Sequence, residues 1–163
     1  MEKLYVAYGS NLNMRQMKNR CPTARFVGTG IIQNYELQFK GTPYGAHATI
    51  APTPGQSVPV GIWTIRKDDE NRLDLYEGYH KTGYRYYDKA QIAVQMDGGG
   101  SLMGMVYIMD PKMDFGKPTP GYVNTVRQGY RDCGLDTSVL DAALQKSLEL
   151  AQQRMEMNEI RLL

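Results

Sequence analysis

The chain is poor in several kinds of chemistry. Cysteine occurs only at Cys21 and Cys133, which form no CxxC pair and have no His-rich surroundings. That argues against a disulfide framework and predicts free thiols in a reducing, cytoplasmic compartment. Histidine is equally scarce: His47 and His80 stand apart, and no ligand set with metal spacing forms, so no metal is expected. Lys and Arg never run five together, and 19 basic against 17 acidic residues leave a net charge of +2. Such a balance lacks the electrostatic footprint of a nucleic-acid or membrane-surface binder. No apolar stretch approaches the ~20 residues that cross a bilayer, and Met-Glu-Lys leads directly into a strand-like segment rather than a signal peptide.

Nucleotide and nucleophile signatures are missing as well. GxxxxGK[ST] occurs nowhere, and His80-Lys81-Thr82-Gly83 lacks its leading glycine. Gly28 and Gly30 are followed by Gln33 instead of the third glycine of a dinucleotide fingerprint. Ser10 is not within GxSxG, and Cys21 directly precedes Pro22, so neither reads as an activated nucleophile. There is no internal repeat and no low-complexity tract.

What is present is an ordinary globular composition, 42% apolar and 22% charged over 163 residues, which predicts a single domain spanning 1–163. Leu4–Tyr8 is a continuous apolar run, as in a buried strand. Gly9-Ser10-Asn11 ends it, and Asn11 or Asn13 is positioned to cap a short helix over Met14–Arg20, which Pro22 stops. Gly28–Phe39 alternates as a strand. Ala46–Ala51 reads as a short strand closed by Pro52-Thr53-Pro54-Gly55, and Val58–Ile65 as the next. Asp68–Tyr76 has helical spacing, and Asp68-Asp69-Glu70 is its acidic first turn rather than a metal site. Tyr84–Met96 and Leu102–Met109 form a hairpin about Asp97–Ser101. The ten methionines fall mostly at core and strand positions, and the Met-rich strand Leu102–Met109 faces either the core or a homodimer interface.

Beyond Pro118 and Pro120, Tyr122–Tyr130 is an amphipathic helix ended at Gly134. Ser138 with Asp141 has the form of a capping box opening a helix whose Leu140, Leu144, Leu148, Ala151 and Met155 share a face. Both apolar faces are expected on the sheet. The pattern is α+β: a small, mostly antiparallel β-barrel of about six strands with flanking helices.

Two segments carry chemistry. In Tyr5-Val6-Ala7-Tyr8-Gly9-Ser10-Asn11-Leu12 an apolar strand breaks into a turn whose successive N–H groups can form an anion-binding nest. The same residues also suit an ordinary strand-to-helix turn. In Leu73-Asp74-Leu75-Tyr76-Glu77-Gly78-Tyr79 one carboxylate sits among apolar neighbours. It is either a poorly solvated general acid/base or a solvated glutamate at an unfavourable helix end. Tyr122 is either a phenol anchoring a ligand or a helix-start residue packed on the sheet.

Together these segments resemble the γ-glutamylcyclotransferase-like superfamily over roughly residues 4 to 135. The N-terminal run is similar to its signature and Leu73–Tyr79 to its glutamate segment. Ala48-Thr49-Ile50 with Pro52 and Pro54-Gly55, and Pro118-Thr119-Pro120-Gly121-Tyr122, fit two further stretches. The resemblance implies a small barrel and a reaction needing no cofactor, in which the α-amine of a γ-glutamyl group attacks its own side-chain amide to release 5-oxoproline and an amine or amino acid. It assigns acid/base catalysis to Glu77, and substrate binding to Gly9, Ser10 and Asn11 with Tyr5, Tyr8, Leu12 and Tyr122 around them. A related amide or acyl-transfer enzyme, or a non-catalytic small-molecule binding module, remains open at this point.

Overall fold

A computed structural model describes residues 1–79 and 86–163. The order is β1 (Lys3–Ala7), a 3₁₀ turn (Ser10–Leu12), α1 (Met14–Arg20), β2 (Arg25–Lys40), β3 (His47–Ile65), α2 (Lys67–Tyr76), β4 (Tyr87–Met96), β5 (Ser101–Met109), α3 (Pro120–Asp132) and α4 (Thr137–Arg161). The strands close into a barrel in the order β1-β3-β2-β4-β5. All pairs are antiparallel except β1 with β5, joined at Tyr5 and Met105. The continuous apolar run becomes β1, flanked by β3 and β5 and buried from Tyr5 onward.

The barrel has five strands because the two segments on either side of Pro52-Thr53-Pro54-Gly55 are one strand, β3. Opposite them β2 changes register between Gln33 and Tyr35, where Asn34 takes a left-handed φ of 61° and its Oδ1 accepts from the Gly55 N–H at 3.0 Å. Pro52 still pairs with Tyr35, but residues 53–56 of β3 bulge out opposite Asn34 without ladder partners, so Pro54, which cannot donate, interrupts nothing. The start of the expected strand at Tyr84, like His80-Lys81-Thr82-Gly83, lies outside the described residues. Of the two candidate caps for α1, Asn13 is the one used: its side chain accepts from Gln16 N. The helix α4 opens not on a Ser138–Asp141 box but on Asp136, which accepts from Ser138 N at 2.9 Å. This acid comes two residues after Gly134, whose φ of 67° turns the chain. On α4, Leu140 and Ala151 face inward as expected, while Leu148 and Met155 are more than a third exposed; beside Leu148 the inward position is taken by the buried Ser147, whose Oγ accepts from Phe39 N. In β5, Met105 and Met109 are buried in the core and Met103 faces outward. Among the described residues no helix is long and apolar enough to cross a membrane.

The seat of α3 depends on one glycine. A Cβ on Gly129 would stand 2.6 Å from Asn13 N and 2.7 Å from Leu12, so only glycine lets the helix lie against the turn after β1. Gly129→Ala is expected to cost about 1–3 kcal/mol in urea unfolding, the usual penalty of overpacking. Gly121→Ala on the same helix, where a Cβ meets nothing within 4 Å, is expected to change little.

Candidate active site

The segment carrying Glu77 is a helix end. Tyr79 N–H donates to Asp74 O at 2.9 Å, Gly78 N–H to Leu75 O at 3.3 Å, and Gly78 takes a φ of 66°. This is a Schellman stop, and it explains the glycine after the glutamate: Gly78 turns the chain and Glu77 is held as the C-cap of α2.

Three carboxylates on α2, at positions 70, 74 and 77, face the barrel at helical spacing. The first two are neutralised. Glu70 takes Lys3 at 3.0 Å and Lys89 at 2.9 Å, and Asp74 takes Lys89 at 2.9 Å and the Tyr107 hydroxyl at 2.5 Å. Burial works against charge on Glu70, but the Lys89 and Lys3 hydrogen bonds override it and hold its carboxyl at about 2. Glu77 accepts no hydrogen bond among the described residues. Burial pushes its carboxyl up to about 7 against an opposing pull from Arg20. Its position at the negative end of α2 acts in the same upward direction. Two carboxyls on one helix are thus driven far apart by their surroundings.

The residues that desolvate Glu77 are not its sequence neighbours. Leu73 is in the core, whereas Leu75 and Tyr76 are 74% and 59% exposed. Consecutive helical residues point in different directions. The apolar wall is instead a set of tyrosines from the barrel and α3: Tyr5, Tyr8, Tyr87, Tyr107 and Tyr122. Burial, reinforced by the charge of Glu77, raises all five phenols above the usual tyrosine range, so they are neutral donors. Three are already engaged: Tyr8 donates to Tyr107 O at 2.6 Å, Tyr87 to Ala48 O at 2.6 Å and Tyr107 to Asp74. Tyr5 and Tyr122 accept instead, from Asn11 Nδ2 at 2.9 Å and Ala48 N at 3.0 Å. Their own O–H protons remain for a ligand.

Across from Glu77 lies the turn after β1. Ser10 and Asn11 begin the 3₁₀ turn, and none of the described residues accepts from their N–H groups, as at any helix start. Gly9 passes so close to Ala48 that a Cβ would meet its Cβ at 3.1 Å and Tyr122 Oη at 3.4 Å. Asn11 is buried, and its side-chain oxygen accepts from Gln16 at 3.2 Å and Arg20 at 3.0 Å.

These groups share one small cleft of ≈ 200 Å³. It brings together Glu77, Tyr5, Tyr8, Gly9, Ser10, Asn11 and Tyr122. It does not include Leu12, which is fully buried between β3 and α3, its side chain against Gly61 and Gly129. Leu12 supports the turn from beneath because the 3₁₀ geometry rotates it away from the two N–H groups. Sequence reasoning missed Arg20, His47, Tyr87 and Tyr107. Nothing in their local sequence marks them; the barrel's closure brings in His47, Tyr87 and Tyr107, and the packing of α1 on the turn after β1 brings in Arg20.

The sequence profile of the family described as "Gamma-glutamyl cyclotransferase, AIG2-like" matches residues 5–126. The chain belongs to this γ-glutamylcyclotransferase family. It is 31% identical over 139 residues to human γ-glutamylcyclotransferase, covering 81% of this chain and 72% of that protein. Identity to the Bos taurus γ-glutamylcyclotransferase is 31% over 140 residues, with the same shares covered. A solved structure named γ-glutamyl cyclotransferase superposes with a TM-score of 0.78 at 28% identity, over 88% of this chain and 86% of the other. The expected α+β barrel is therefore that of the γ-glutamylcyclotransferases, and the protein is an enzyme of that type.

Proposed function

We propose that the cleft catalyses cyclisation of a γ-glutamyl compound, releasing 5-oxoproline and a free amine or amino acid. The observation that carries this reading is the pairing of one carboxyl, without a hydrogen-bond partner among the described residues and raised to about 7, with turn N–H groups that none of those residues accepts from, in the same small cleft. Glu77 takes a proton from the substrate's α-ammonium group. The amine nitrogen then bonds to the side-chain amide carbon, and the carbonyl oxygen becomes an oxyanion facing Ser10 N–H and Asn11 N–H. As the bond to the leaving nitrogen breaks and the carbonyl re-forms, Glu77 returns the proton to that nitrogen, and the second proton that the ring nitrogen sheds on becoming an amide passes over the freed Glu77 carboxylate to the same leaving amine, which departs as an ammonium. Atoms balance without water or cofactor, because the nucleophile is tethered to the carbonyl it attacks and the enzyme chiefly holds the ring-closing conformer. Tyr5 and Tyr122, with O–H groups to donate, hold the glutamyl end.

The test is incubation with a panel of γ-glutamyl amino acids and γ-glutamyl amines, following 5-oxoproline by mass spectrometry. Release from at least one member is expected. No release from any by a folded protein would overturn the reading in favour of a different acyl substrate or a binding module.

A further inference from the structure

Arg20, the last residue of α1, is the only Lys or Arg among the described residues that line the cleft. It pairs with no described carboxylate. Its guanidinium is nonetheless fixed from two sides. Nη1 donates to the buried Asn11 Oδ1 at 3.0 Å, and the group lies over the Tyr76 ring, 4.2 Å from its centre. A guanidinium has five N–H donors, and this arrangement uses one. The remainder form a planar fork suited to a carboxylate. A fixed cation that is not neutralised, in a cleft walled by neutral phenols, is built to receive an anion.

Its depth indicates which anion. The inner wall is closed: Tyr5, Tyr8, Ala48 and Tyr87 are all under 10% exposed. Tyr76, on which Arg20 rests, is 59% exposed and marks the mouth. On the cyclotransferase reading the reacting half faces Glu77 and the Ser10 and Asn11 N–H groups, its α-carboxylate stays beside the α-amine in that half, and the leaving group points to the mouth. Only a leaving group that is itself an amino acid carries a carboxylate to that position.

Resting on the cyclotransferase reading, we propose that Arg20 is the specificity-determining residue of this site. It receives the carboxylate of the leaving amino acid and so selects γ-glutamyl amino acids over γ-glutamyl amines. Asn11 thereby serves twice, presenting its N–H to the reacting carbonyl and its side-chain oxygen to the group that reads the leaving half.

The test uses γ-glutamylalanine and γ-glutamylethylamine, which differ only by that carboxylate, with wild type, Arg20→Gln and Arg20→Lys. For Arg20→Gln, kcat/KM on γ-glutamylalanine is expected to fall roughly 10- to 100-fold, the worth of a charge-assisted hydrogen bond. The loss should lie in KM and exceed any loss on γ-glutamylethylamine at least ~tenfold, since the change at Glu77 and Asn11 that follows from removing Arg20 acts on both compounds alike and cancels in their ratio, and Arg20→Lys should fall between. Equal losses on both substrates, or an alanine preference that survives Arg20→Gln, would overturn the proposal. Calorimetric binding of both compounds to Glu77→Gln, with and without Arg20→Gln, separates this from failure of the cyclotransferase reading. Carboxylate-selective binding lost with Arg20, in an enzyme that turns over neither compound, would sink the reaction and leave the recognition standing. Turnover of both compounds without selectivity in either assay would sink the recognition alone.

Discussion

Glu77→Gln is expected to lower turnover of the γ-glutamyl substrate by ~10² to 10⁴, the range over which a positioned acid/base acts. The substitution is nearly isosteric and leaves the Schellman stop untouched, since that stop uses backbone groups and Gly78. What is lost is the ability to hold a proton between its removal from the amine and its delivery to the leaving nitrogen. The loss should therefore appear in kcat more than in KM. The wild-type enzyme supplies a second signature. Glu77 must be ionised to accept the first proton, so kcat/KM should rise with pH through about 7. That limb should vanish in Glu77→Gln. The check is steady-state release of 5-oxoproline between pH 5 and pH 9. A variant with wild-type turnover would remove Glu77 from the chemistry.

The same variant is expected to be more stable than the wild type at pH 8, by about 2 kcal/mol in urea unfolding. The carboxyl lies at about 7 in the fold against an ordinary 4.5. Between those values the native state binds more protons than the unfolded chain, so stability falls as pH rises through that window. The full difference corresponds to ~3 kcal/mol, an upper figure because the cleft opens to water. Below pH 4.5 the carboxyl is protonated in both states, and the two proteins should converge. Glutamine carries no charge at any pH and escapes the penalty. Equal stabilities at pH 8 would show that Glu77 is better solvated than its surroundings imply. Activity and stability thus move in opposite directions at one residue, as expected where a site holds a group in an unfavourable setting.

The residues that could be read in advance are those whose meaning is local. The apolar run of β1, the acidic first turn of α2 and the glycine-rich turn before β5 each state their conformation within a few positions. So does the turn after β1, whose glycine and two free N–H groups are consecutive. Pro52 and Pro54 misled because the bulge that accommodates them is completed by a different strand, at Asn34 of β2. The environment of Glu77 could be read only in outcome. Leu75 and Tyr76 gave an apolar look to the segment, yet Leu75 points to solvent and Tyr76 stands half-exposed at the cleft mouth, and the buried wall is made of tyrosines scattered from Tyr5 to Tyr122. Arg20 was invisible for the same reason: a basic residue in a last helical turn is commonplace, and only its stacking on Tyr76 and its bond to Asn11 set it apart.

The lysine clamp on Glu70 and Asp74 makes α2 a measuring rod. Two of its inward carboxylates are pinned to β1 and β4 through Lys3 and Lys89, and the third is delivered a fixed distance further along, about 10 Å from the first at 1.5 Å per residue. Insertion or deletion of one residue between Asp74 and Glu77 would swing the carboxyl by about 100° around the axis, out of the cleft. Replacement of outward residues such as Leu75 would leave the distance intact. This stretch should therefore tolerate wide changes of side chain on its solvent face and almost none in its length.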